Sequence, residues 1–143
     1  MIEITIFKYT RDNKTNNKLA VPDWESFVTV LKGLSKKVGY KPKQGEFKPG
    51  SSLISPAVYA EGTTRSNVNV EYWGEWAALD VDDYEGTFED ALDKYKDYEY
   101  VCYSTSSSTK ERPKFRVVFP LSGAVEKKQI KNFWYAINKN FGE

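Results

Sequence analysis

Apolar and polar residues alternate at the start of the chain. Ile2, Ile4 and Ile6 bracket Glu3 and Thr5, and a period of two predicts a strand. A polar, Asn-rich loop is expected over 11–18. Pro22-Asp23 then reads as a helix start, because Trp24, Phe27, Val28, Leu31 and Leu34 recur at helical spacing, and Lys36, Lys37 and Gly39 suit its end. Residues 40–67 carry Pro42, Gly45, Pro49, Gly50, Pro56 and Gly62 and predict a long loop. In 75–82 the period of two returns. Ala77, Leu79 and Val81 face one way, and Trp76, Ala78, Asp80 and Asp82 face the other.

Thr87 is placed to cap a second helix with Asp90 as partner, and Phe88, Ala91, Leu92 and Tyr95 make its apolar stripe. Residues 98–105 and 115–121 read as two strands of a hairpin, whose tip, 106–114, is rich in Ser, Thr, Lys and Arg. A last helix follows Ser122-Gly123, with Ile130, Phe133, Trp134, Ile137 and Phe141 at helical spacing, and both Phe133 and Trp134 read as core. Neither a repeat nor a linker divides the chain, so 1–143 is expected to form a single domain. A strand–helix–strand crossover followed by a hairpin predicts an α+β fold. The expected form is an RRM-like or palm-type mixed sheet with helices packed on one face.

Composition narrows the chemistry. The 143 residues contain no histidine and one cysteine. Ser-His-Asp and Cys-His hydrolases cannot be built, nor can Cys/His zinc sites, and no internal disulfide is possible. What remains is carboxylate with a hard metal, hydroxyl, Lys and Arg. Cys102, in an apolar strand with no histidine to activate it, reads as a packed thiol. The start of the chain lacks a signal peptide and no apolar stretch spans a membrane, so a cytoplasmic protein is expected. The net charge of +1 conceals a segment, 80–99, with nine acids and two lysines, against basic stretches at 32–48 and 110–131. An acidic patch between basic flanks suits a site for cations and polyanions, though solvated helix faces would look the same.

Asp80 and Asp82 leave one strand face roughly 6–7 Å apart, a spacing at which two carboxylates can share Mg²⁺ or Mn²⁺. Two such ions roughly 3.5–4 Å apart serve phosphoryl transfer. A D-x-D triplet is also common at charged strand ends. Among the aromatics near this strand, Tyr72, Trp73 and Trp76, core packing competes with base stacking, and Trp76 shares the aspartates' face.

Three stretches together resemble the archaeo-eukaryotic primase-polymerase superfamily, in its phage and plasmid replication branch: residues 55–70, residues 76–83 (WAALDVDD) and residues 103–121 (YSTSSSTKERPKFRVVFPL). The resemblance covers roughly residues 45–135. It implies a metal-dependent nucleotidyltransferase that copies single-stranded DNA with nucleoside triphosphates, working with a helicase domain or protein. By position it makes Asp80 and Asp82 metal ligands. Ser104, Ser106, Ser108 and Thr109 would be phosphate contacts, and Arg116 and Arg65 basic contacts. The family's second motif normally carries a histidine, where this chain has Ser106 or Ser108. Its third motif supplies an acid expected beyond Phe141-Gly142-Glu143. Both departures open the alternative of a catalytically weakened or inactive nucleic-acid-binding module on the same fold.

Overall fold

The computed structural model describes residues 1–9, 11–35, 52–82, 84–105 and 108–141. In chain order its elements are β1 (Ile2–Phe7), β2 (Lys18–Val21), α1 (Trp24–Ser35), β3 (Leu53–Ser55), β4 (Ala57–Tyr59), β5 (Val70–Trp73), β6 (Trp76–Val81), α2 (Phe88–Asp93), β7 (Val101–Ser104), β8 (Phe115–Pro120), β9 (Val125–Glu126) and α3 (Ile130–Phe141). The α+β class read from the sequence is the one the chain adopts. Among the described residues the strands form three antiparallel sheets, ordered β2-β1-β3, β4-β5-β9 and β6-β8-β7.

The third sheet organises the rest. Chain direction makes β6 and β7 parallel to each other, with β8 antiparallel between them. The expected crossover through α2 and the β7–β8 hairpin are both present. Alternation along these strands divides two cores. Ala77 and Leu79 of β6 join Phe115, Val117 and Phe119 of β8 on one face, closed by Ala91, Tyr95 and Ile137 from the α2 and α3 side. Trp76 and Val118 emerge on the other face, against Ile2, Ile4, Phe27 and Leu31. The helices were expected on one face. Instead, α2 and α3 cover one side while α1 and β1 cover the other, because β6 is apolar on both faces at its start and each must be shielded from water.

Local chemistry explains the helix starts. Asp23 Oδ1 accepts the Ser26 N–H at 2.8 Å, and Thr87 Oγ1 accepts the Asp90 N–H at 3.2 Å; both side chains satisfy an otherwise unpaired first-turn donor. The backbone bond from Ser26, with a further one from its side chain, holds the Asp23 carboxyl below its ordinary value. The β5–β6 junction is equally specific. Gly74 bonds to both Glu3 and Pro56 through its backbone, and a Cβ there would lie 2.7 Å from the Glu3 backbone oxygen. Only glycine permits this approach. Glu75 follows at φ +69°, turning the chain from one sheet into the next.

Two further expectations need correction. The long loop predicted over 40–67 contains β3 and β4; its part from 40 to 51, with the predicted α1 end at Lys36, Lys37 and Gly39, lies outside the described residues. Segments of three residues are too short to display a period, and their pairing with β1 and β5 decides them. Trp134 is 45% exposed, not core. Adjacent helical positions diverge by 100°, so when Phe133 turns inward Trp134 turns outward.

Candidate functional site

The outer end of the β6–β8–β7 sheet carries polar side chains where its inner end carries core. Asp80, Arg116 and Tyr103 stand opposite one another in a single cross-strand row. One step inward the same face holds Ala78, Val118 and Val101. Trp76 lies deepest, fully buried, its ring 5.0 Å from Phe27 and its Nε1–H donating to the Glu3 carbonyl at 2.8 Å. A base cannot reach it, so Trp76 belongs to the packing and not to recognition.

Arg116 grips Asp80 with two bonds, Nε–H to Oδ1 at 2.6 Å and Nη2–H to Oδ2 at 3.2 Å. Its Nη1–H reaches the Tyr103 hydroxyl at 3.3 Å, and its Cζ lies 6.0 Å from that ring's centroid. The Asp80 side chain is 52% exposed and that of Arg116 22%. Burial alone would lower the Arg116 pKa, but the bonds and charge supplied by Asp80, with Tyr103, outweigh it and raise the value. Burial also raises the Tyr103 phenol, with Arg116 acting in the opposite direction. Asp82 follows the end of β6 and is exposed.

Around the hairpin tip, hydroxyls build the turn. Ser108 Oγ accepts the Lys114 N–H at 2.9 Å, and Thr109 Oγ1 accepts the Arg112 N–H at 3.0 Å. Each keeps its own O–H for another acceptor. Ser104 pairs across from Phe115, which puts it on the sheet face opposite Asp80. Ser106 lies outside the described residues. Arg65 is placed elsewhere, over the Phe7 ring at 4.4 Å to the centroid, in the loop that bonds to the β1–β2 connection through Asn13. Of the residues singled out in the sequence, the fold thus brings Asp80 and Arg116 into contact and adds Tyr103, which sequence reasoning missed. Only the register of β7 on β8 could have revealed it.

Hard-cation chemistry fits the donor set in part. Asp80 and Asp82 are oxygen ligands of the right type, and Arg116 already occupies one of them. Among the described residues no three His, Cys, Asp or Glu side chains gather to hold a metal ion. Cys102, on the opposite face to Tyr103, has its thiol pushed up to about 11 by burial and is no nucleophile. No described helix is long and apolar enough to cross a membrane.

In comparisons with known proteins, the model of one family, described as the VapE N-terminal domain, matches residues 41–142. No curated protein and no solved structure matches.

Proposed function

This chain belongs to the VapE N-terminal domain family, and from that premise we propose that it is a replication-associated domain of phage or plasmid origin. In this reading its sheet-end site takes a metal-complexed nucleoside triphosphate, as in a DNA primase-polymerase copying single-stranded template. The observation that carries this reading is the bidentate Asp80–Arg116 pair on the face of β6 and β8, with Asp80 half-exposed.

Such a pair is held by only about 1 kcal/mol, because water screens it. A divalent cation bound to triphosphate presents both opposite charges at once. Asp80, with Asp82, suits the cation, and the freed Arg116 fork suits phosphate oxygens. Exchange of one internal ion pair for two complementary ones gives Asp80 and Arg116 each a new partner of opposite charge. Tyr103 keeps Arg116 at the face during the exchange. Ser108 and Thr109 offer hydroxyl donors from the neighbouring turn. Bound Mg²⁺ or Mn²⁺ would supply the usual metal contribution to phosphoryl transfer, activating the attacking hydroxyl and neutralising phosphate charge. A helicase activity, in a further domain or a separate protein, would supply the single strand.

Calorimetric titration with Mn²⁺ and a deoxynucleoside triphosphate tests this. The wild-type chain binds the pair together, while Asp80→Ala and Arg116→Ala each weaken it at least about tenfold, the loss of one charged contact. Template-directed extension should require Asp80. A wild-type chain that binds neither metal nor triphosphate sinks the proposal.

The second reading is a nucleic-acid-binding module without catalysis. It is favoured by a chain free of histidine and by the lack of a third converging acid among the described residues. It predicts DNA binding that survives loss of both Asp80 and Asp82, with no extension product from any variant.

A further inference from the structure

The last helix presents a surface that neither core uses. Trp134 and Tyr135 are 45% and 69% exposed on α3, beside Ile137, which is buried on the inward side. Lys131, Tyr135 and Lys139 follow one another at intervals of four, so they form one continuous row, with Trp134 on the adjoining row. The row spans roughly 12 Å along the helix.

Charge along the helix itself has one sign. From Lys127 to Phe141 there are four lysines and no acid. Lys127 and Lys128, at the head of the helix, are anchored: Lys127 Nζ donates to the Val68 carbonyl at 2.9 Å, and Lys128 lies 3.5 Å from Glu126. Lys131 and Lys139 flank the two rings themselves. Trp134 is also held in place. Its ring stands roughly perpendicular to that of Trp73, centroids 6.4 Å apart at 77°, and Trp73 is set against Phe133 in the same manner at 5.9 Å and 88°. A ring already braced by a neighbour loses little freedom on receiving a stacking partner, which lowers the cost of binding.

We propose that Lys131, Trp134, Tyr135 and Lys139 of α3 form a binding strip for single-stranded nucleic acid, with bases stacking on the two rings and phosphates meeting the lysines. Partly exposed aromatic faces set between cations match an unpaired strand in both of its chemistries, π-faces and regular negative charge. A protein partner would use the rings but gain nothing from Lys131 and Lys139 unless it were acidic. The inference deepens the replication reading by naming where a strand lies, and it rests on α3 and not on Asp80.

The test is fluorescence anisotropy with a labelled oligo-dT of about 16 nucleotides, the upper end of single-strand site sizes, across a salt series. Binding should tighten as salt falls. Tyr135→Ala should weaken it roughly tenfold, Trp134→Ala at least as much, and Tyr135→Phe should restore it, because the π-face is what matters. Lys131→Gln and Lys139→Gln should each reduce the slope of log K against log salt by about 0.7. If Trp134→Ala lowers the melting temperature, the Tyr135 and lysine variants still decide the question. No binding at low salt overturns the proposal, as does binding unaffected by Tyr135→Ala and the lysine pair. So does stronger attachment to phosphatidylserine vesicles than to the oligonucleotide, which would make the strip a membrane contact. Manganese–triphosphate titration of the wild-type chain reads the other site separately, so either proposal can fail while the other stands.

Discussion

The two faces of the β6–β8–β7 sheet differ although the same strands build both. The face toward α2 and α3 is apolar along β6, from Ala77 through Leu79, and closes on Tyr95 and Ile137. The face toward α1 and β1 begins as apolar, with Trp76 and Val118, and ends in the Asp80–Arg116–Tyr103 row. A single strand therefore serves stability on one side and, within about three residues on the other, passes from core to charge. The core end makes the polar end rigid: Arg116 lies between Phe115 and Val117, both essentially inaccessible, so its backbone has little freedom.

The sharpest way to break this contrast is at its deepest residue. Trp76→Ala removes a fully buried ring that packs at a tilt against Phe27 and donates to Glu3. The expected loss is about 3–5 kcal/mol, read from urea denaturation. Leu79→Ala on the opposite face should cost about 2–5 kcal/mol. If Trp76→Ala costs less than about 1 kcal/mol, the ring is not core, and its role as a stacking platform returns.

Much of this contrast was legible in the sequence, and its limits have physical causes. The two-residue period of 76–81 sorted its side chains to the correct faces, and the helical spacing of Trp24, Phe27 and Leu31 found α1. Thr87 announced α2 through its hydroxyl. By contrast β2, β4, β5 and β9 contain two to four residues each, and their structure comes from partners distant in the chain. The same is true of the site. Asp80 could be picked out from its strand, but its pairing with Arg116 is a contact across 36 residues, set by register alone. Trp134 was misjudged because the apolar stripe of α3 includes two adjacent aromatic positions, and only one of them can face inward.

The polar end offers a second, smaller break. In a double-mutant cycle, Asp80→Ala, Arg116→Ala and the double variant should reveal a coupling of about 1 kcal/mol, because Asp80 is half-exposed and the pair is screened. The coupling should fall as salt rises. A coupling near zero would mean that the bidentate geometry is not maintained in solution, and it would remove the exchangeable ion pair on which triphosphate binding is argued. A coupling of several kcal/mol would make the pair too costly to open, and would favour the non-catalytic reading.

Tyr103→Phe should have the smallest effect, about 0.5 kcal/mol, since its hydroxyl contact with Arg116 is long at 3.3 Å and the ring beneath the guanidinium is retained. Its signature is in the pH dependence. Burial raises the folded Tyr103 pKa above the ordinary value of 10.0, so the folded state holds the proton longer than the unfolded chain. Stability from this difference is complete below pH 10 and declines as pH rises toward the folded value. Cys102, pushed up to about 11, and Tyr72, pushed up to about 12 by its hydrogen bond to Glu3, add to the same alkaline decline. Tyr103→Phe should therefore flatten only part of that slope, measured as denaturation midpoints between pH 9 and 11. An unchanged slope would mean that the phenol is solvated and that the row ends at Arg116; a loss above about 2 kcal/mol at neutral pH would instead make Tyr103 a buried support of the whole face.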